Sequence, residues 1–164
     1  MFPNDIQRLA ASVIAAASAR GWTVATAESC TGGLVAGALT AVAGSSSVVD
    51  RGFVTYSNAA KSEMLGVPAA LIVKHGAVSE PVARAMAMGA RQAAKTALAV
   101  SITGVAGPGG GSAEKPVGLV HFGCATPQGL VHDKRLFGGI GREEVRLESV
   151  RVALGLLLAA CEAR

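Results

Sequence analysis

Residues 23–44 read TVATAESCTGGLVAGALTAVAG, and the fold class turns on how this run divides. Small and β-branched residues from Trp22 to Ala27 predict a buried strand. The pair Gly32–Gly33 then opens a helix of small residues, predicted over 31–42 and closed by Gly44. A strand that passes straight into a helix is the building unit of an α/β layer. Between the two stand Ser29, Cys30 and Thr31, so the turn is either a plain connection or the seat of a nucleophile.

The same alternation extends along the chain. Upstream, Asn4 is a plausible cap for a helix whose apolar face is Ile6, Leu9, Val13 and Ile14, stopping at Gly21. Downstream, "GFVTYS" predicts the next strand, Asn58 a cap for the short helix "AAKSEML", and Pro68–Lys74 a further helical turn or two. Ser79, Glu80 and Pro81 start a longer helix that Arg91 and Lys95 finish. "LAVSIT" reads as a strand, and "GVAGPGGGSAEKP" as a long glycine-rich loop. "VGLVHFGCAT" and "GLVHDKRLF" flank "PQG" as a β-hairpin. A final helix runs from about Arg142 to Cys161. The expectation is one domain over residues 1–164: a layered α/β fold with a mixed sheet flanked by helices and a β-hairpin near the C-terminal end.

Composition fits packed helices on a sheet: 51% of the 164 residues are hydrophobic, 4% aromatic, and 21 are glycine. Mean hydropathy is +0.45. The longest late apolar run, Val152–Ala160, is broken by Gly155 and falls short of the about 20 residues that span a bilayer. The charged start "MFPNDIQRLA" lacks the apolar core of a signal peptide, which predicts a cytoplasmic protein and no membrane partner. The net charge of +4 is spread along the chain without interleaved aromatics, which argues against nucleic acid. Cys30, Cys124 and Cys161 form no C-x-x-C, and His75, His121 and His132 lie at no ligand spacing, so neither disulfide nor metal site is expected.

Three loops that follow predicted strands should gather at one sheet edge: "AESCTGG", "TYSNAAK" and "TGVAGPGGG". No Walker A sequence and no G-x-G-x-x-G fingerprint occurs. The glycine loop lets backbone N–H groups approach an anion, and "SCTGG" offers a helix N-terminus for a phosphate or an oxyanion, against the plainer reading of a capped turn. A catalytic cysteine needs a base, and no histidine is near Cys30 in sequence. A serine can use a lysine that is partly neutral. Lys61, in the first turn of its helix, meets the positive end of the helix dipole, and burial would lower its pKa further. Tyr56 could orient or relay the proton; the alternative is that Lys61 is an ordinary surface lysine.

"TAESCTGG", "RGFVTYSNAAK", "HGAVSEPVA", "SITGVAGPGGGSAEKPVG" and "GREEVRLESV" occur in that order. Together they closely resemble the C-terminal domain of the competence/damage-inducible protein CinA, the family of nicotinamide-nucleotide amidases. The resemblance runs from about Asp5 to Ala160. It lacks the N-terminal molybdopterin-binding-like domain of longer CinA proteins, so the expectation is the stand-alone amidase form. It implies hydrolysis of the carboxamide of nicotinamide mononucleotide to nicotinate mononucleotide and ammonia, without metal or cofactor. It maps a serine nucleophile onto Ser29, a lysine base onto Lys61 and the family tyrosine onto Tyr56. It also maps the [ST]G that opens the glycine loop onto Thr103 and Gly104, and an arginine ahead of the last helix onto Arg142.

Charge complementarity extends this reading. Backbone N–H groups from Thr31, Gly32 and Gly33, or around Gly104, would meet an oxyanion. The glycine loop and Arg142 would hold the phosphate. The pyridinium suits the Glu28 carboxylate or the face of Tyr56, while the competing role for Glu28 is to hold the turn by accepting backbone N–H bonds. The rival functions are a non-enzymatic competence or DNA-damage partner and an amidase on another amide. Alanine-rich helix faces further imply a homo-oligomer.

Overall fold

Five strands pair in the order β2-β1-β3-β4-β5 in the computed structural model, which describes residues 1–164. They are β1 (Val24–Glu28), β2 (Val49–Val54), β3 (Leu98–Gly104), β4 (Leu119–Thr126) and β5 (Gly129–Leu136). Both β2 and β3 run parallel to β1, and β4 is antiparallel to β3 and to β5. The three inner strands are buried on both faces, which is why "VATAE" and "LAVSITG" read as unbroken small and β-branched runs rather than alternating ones. The edge strands β2 and β5 carry the exposed polar positions.

Helices cover both faces. On one lie α1 (Asn4–Ala19), α2 (Leu34–Thr40) and α6 (Arg142–Glu162). Ile6, Val13, Leu39, Leu154 and Leu157 are buried there with Val100, Ile102 and Phe122 of the sheet. Truncating one such leucine to alanine costs about 2–5 kcal/mol. The other face carries α3 (Asn58–Leu65), α4 (Ala69–His75) and α5 (Glu80–Ala94), packed through Leu65, Val67, Ile72, Val82 and Met86. Here Gly89 sets the separation: a Cβ built on it would lie 1.9 Å from the Leu65 carbonyl oxygen, so α5 can approach the end of α3 only as glycine. No helix is long and apolar enough to cross a membrane.

The expected single α/β domain with a mixed sheet and the β4–β5 hairpin is therefore the fold observed. Several boundaries differ: β2, predicted as "GFVTYS", runs Val49–Val54, and β1, predicted from Trp22 to Ala27, runs Val24–Glu28. Asn4 and Asn58 are the first residues of their helices, not caps; Pro3 precedes α1, and Ser57 caps α3 by accepting the Ala60 N–H at 3.0 Å. The helix predicted from residue 31 begins at Leu34, because Gly32 (φ 58°) and Gly33 (φ 103°) adopt left-handed conformations that a right-handed helix cannot include.

Candidate active site

The connection from β1 leads to α2 and β2 on one side, while β3 flanks β1 on the other. The crevice outside their carboxyl ends is thus a topological switch point, where α/β sheets bind ligands. A cleft of about 300 Å³ lies there, lined by Ser29, Tyr56, Lys61, Thr103, Gly104 and Arg142, with Cys30, Asn58 and the glycine loop completing its wall. All three predicted loops meet at this edge. A larger depression of about 650 Å³, between α5 and the β4–β5 hairpin, contains Arg91 and Lys95 but no nucleophile–base pair.

Sheet pairing delivers the nucleophile turn: the Ser29 N–H donates to the Ile102 carbonyl at 2.9 Å as β1 ends. One strand over, the Thr55 N–H donates to the Glu28 carbonyl at 2.9 Å and sets the start of α3. From α3, the Lys61 side chain runs inward, 1% exposed, and places Nζ 3.0 Å from Ser29 Oγ and 2.8 Å from the Thr55 carbonyl, to which it donates. No carboxylate pairs with it. Burial lowers its pKa below the ordinary lysine range, partly opposed by the attraction of Cys30. A lysine so held is an acceptor for the serine proton when neutral and a donor to a leaving group when charged. Cys30 differs in kind: burial pushes its thiol up to about 11, which keeps it protonated and a poor nucleophile.

The mouth of the cleft is cationic. Arg142, at the start of α6, donates to the Gly107 carbonyl at 2.8 Å and to the Tyr56 hydroxyl at 3.0 Å, bridging the glycine loop and the β2–α3 loop. Tyr56 is 61% exposed, so its ring face is open. Thr103 lines the cleft with its hydroxyl already engaged, donating to the Ala77 carbonyl at 2.8 Å. Gly104 fits closely beside β4, where a Cβ would meet Val120 Cγ2 at 2.7 Å. Lys115 donates to the His75 carbonyl at 2.5 Å and ties the glycine loop to the end of α4.

Four residues expected to contact substrate lie behind the cleft. Glu28 is fully buried, and its carboxylate accepts the N–H groups of Val35 (2.9 Å) and Ala36 (3.0 Å) and the Thr26 hydroxyl (3.2 Å). It caps α2 from the end of β1, so it does not face the cleft, and the α2 N-terminus holds the protein's own carboxylate rather than a ligand. Thr31 is fully buried, Gly33 rests against Val54, and Gly32 lies beside Arg146 on the outer side of the turn. Conversely, Asn58 lines the cleft. Arg146, which lies within "GREEVRLESV" but has no role assigned from the sequence, donates to the Cys30 and Thr31 carbonyls at 3.1 and 3.3 Å. Its only sequence signal is its spacing of four from Arg142, which places both on one face of α6. No group of three or more His, Cys, Asp or Glu side chains is placed to hold a metal ion.

Fold and site together define a three-layer α/β protein with a buried lysine against a serine at the switch point of its sheet. Residues 6–161 match the CinA C-terminal domain, and the chain belongs to that family. It is 51% identical over 158 residues to the nicotinamide-nucleotide amidohydrolase PncC of Escherichia coli K12, covering 96% of this chain and 95% of that protein. It is 56% identical over 148 residues to a CinA-like protein of Anaeromyxobacter dehalogenans, covering 90% of this chain. The chain spans 36% of that longer relative. A crystal structure of the competence/damage-inducible protein CihA from Agrobacterium tumefaciens superposes with a TM-score of 0.96 at 54% identity, covering 98% of each chain.

Proposed function

We propose that this chain is a nicotinamide-nucleotide amidase, hydrolysing the carboxamide of nicotinamide mononucleotide to nicotinate mononucleotide and ammonia. The observation that carries the reading is Lys61 Nζ, buried without a countercharge, 3.0 Å from Ser29 Oγ at the base of the cleft. The relatives named for this reaction, which match nearly end to end, support it. In the proposed sequence, neutral Lys61 takes the Ser29 proton as Oγ attacks the carboxamide carbon. The tetrahedral intermediate collapses, and Lys61 returns the proton to the leaving nitrogen, which departs as ammonia. Water, deprotonated by Lys61, then attacks the acyl-enzyme, releasing nicotinate mononucleotide and the free serine.

Arg142, at the rim, is the phosphate-binding group in this reading, and the open ring of Tyr56 faces the pyridinium. Residues 1–164 act as a single amidase domain. The exposed apolar Val54, Val73 and Leu136 support a homo-oligomer, and the enzyme works in the cytoplasm. The test is ammonia release from nicotinamide mononucleotide by the native chain and by Ser29→Ala. Release by the native chain alone is expected. Equal release by both would remove Ser29 from the reaction, and release by neither, with both folded, would remove the substrate.

A further inference from the structure

Two arginines enter α6 within its first five residues, Arg142 and Arg146, at the helix end where the dipole disfavours cations. Being four apart they also repel one another, and neither is in an ion pair. Arg142 is accounted for by the cleft mouth. Arg146 faces the back of the nucleophile turn, half-buried, and its guanidinium spans two successive peptide carbonyls, those of Cys30 and Thr31.

The turn itself shows what that grip controls. The Ser29 carbonyl is taken by the Gly32 N–H at 3.0 Å. In a trans peptide the C=O and N–H point in opposite directions, so the Cys30 N–H is turned away from Gly32. No main-chain carbonyl accepts it, and Cys30 lines the cleft beside Ser29. A free N–H on the residue after a nucleophile is where a developing oxyanion needs a donor. Left-handed Gly32 and Gly33 follow at once; of the two carbonyls that Arg146 grips, that of Thr31 also accepts the Leu34 N–H at 3.1 Å, while that of Cys30 has no main-chain donor.

We infer that Arg146 is the positioning residue of the nucleophile turn: by holding the Cys30 and Thr31 carbonyls, it keeps Ser29 Oγ toward Lys61 and the Cys30 N–H toward the cleft as an oxyanion donor. This rests on the amidase reading only for the identity of the substrate. Arg146 is not among the groups that shift the Lys61 pKa, which burial lowers and Cys30 partly restores, so its removal should slow the reaction without moving the pH at which Lys61 ionises.

The experiment compares the native chain with Arg146→Met and Arg146→Lys, each assayed well below its melting temperature. Loss of a single oxyanion donor typically costs about 10²–10³-fold in kcat. Arg146→Met is expected to lose at least about tenfold in kcat while KM for nicotinamide mononucleotide stays within about threefold and the ascending limb of the pH profile does not move. Arg146→Lys should recover only part, because one ammonium cannot span both carbonyls in the way a planar guanidinium does.

A second readout needs no amide substrate: labelling of Ser29 by a fluorophosphonate. Here Ser29 Oγ bonds to phosphorus, the P–F bond breaks, fluoride leaves, and the serine proton passes to Lys61. Labelling should slow in parallel with kcat. If the native chain releases no ammonia, the amidase reading fails, and the labelling rates still decide the role of Arg146. The inference is overturned if folded Arg146→Met keeps native kcat or labelling, if its acid limb shifts while the plateau holds, or if Ser29 is not labelled in the native chain.

Discussion

Glu28 precedes the nucleophile in sequence and Lys61 meets it in space; both are buried, yet the protein treats the two charges differently. The Glu28 carboxylate receives three donors and is absorbed into the fold, closing α2 onto β1. The Lys61 amine receives one carbonyl and one hydroxyl and no opposite charge. A buried charge with its full complement of partners is architecture. One left without a countercharge is destabilising, has a shifted pKa, and persists where the shift is useful.

The largest expected effect comes from emptying the lysine site. Lys61→Met keeps most of the apolar length, so the fold should survive, while a positioned general base typically contributes about 10²–10⁴-fold to the rate. Loss of that order in ammonia release, with an unchanged circular dichroism spectrum, is the expected outcome. Retention of more than a tenth of native activity would mean that the serine has another base and that the contrast with Glu28 carries no functional meaning.

How far this contrast was legible in the sequence depends on which atoms decide it. The inner strands β1 and β3 were readable because strands buried on both faces run as unbroken apolar and small residues rather than alternating with polar ones. The meeting of the three loops followed from their common place after strands. Whether Lys61 was solvated or buried was not readable. It depends on where the fold seats α3 against the ends of β1 and β2, which brings Nζ to Ser29, 32 residues away in the chain, and to the Thr55 carbonyl. Nor could a carboxylate before "SCTGG" be assigned to substrate or to backbone. The backbone conformation of Gly32 and Gly33 settles that, by delaying the helix until the Val35 and Ala36 N–H groups point at Glu28. Arg146 sits in "GREEVRLE", a stretch that resembles any solvated helix face until its carbonyl partners are known.

Glu28→Gln tests the other half of the comparison and should act on stability, not on turnover. The carboxamide has one acceptor oxygen, and its NH₂ would oppose a backbone N–H, leaving a buried donor unpaired at a cost of about 1–3 kcal/mol. For a chain of this size that lowers Tm by several degrees. KM for nicotinamide mononucleotide should stay within about twofold. A rise in KM at unchanged Tm would instead return Glu28 to the pyridinium, the role its place behind the cleft does not suit.

The smallest effect is the pH dependence of stability, and its sign follows from the direction of the Lys61 shift. Burial places the folded pKa below the ordinary 10.5. Between the folded and the unfolded values, the unfolded chain holds a proton that the folded chain has released, so stability rises with pH across that window. Below the folded pKa the native chain carries the whole cost of a buried ammonium. Lys61→Met lacks the titrating group, so its Tm relative to the native chain should be most favourable at neutral or lower pH. That advantage should shrink as pH climbs toward 10.5. Glu28→Gln, which leaves Lys61 in place, should follow the native chain through the same alkaline range. A Tm difference between Lys61→Met and the native chain that stays constant from pH 7 to 10 would mean that Lys61 titrates as a solvated lysine does, and that the charge inside the cleft is no more constrained than one at the surface.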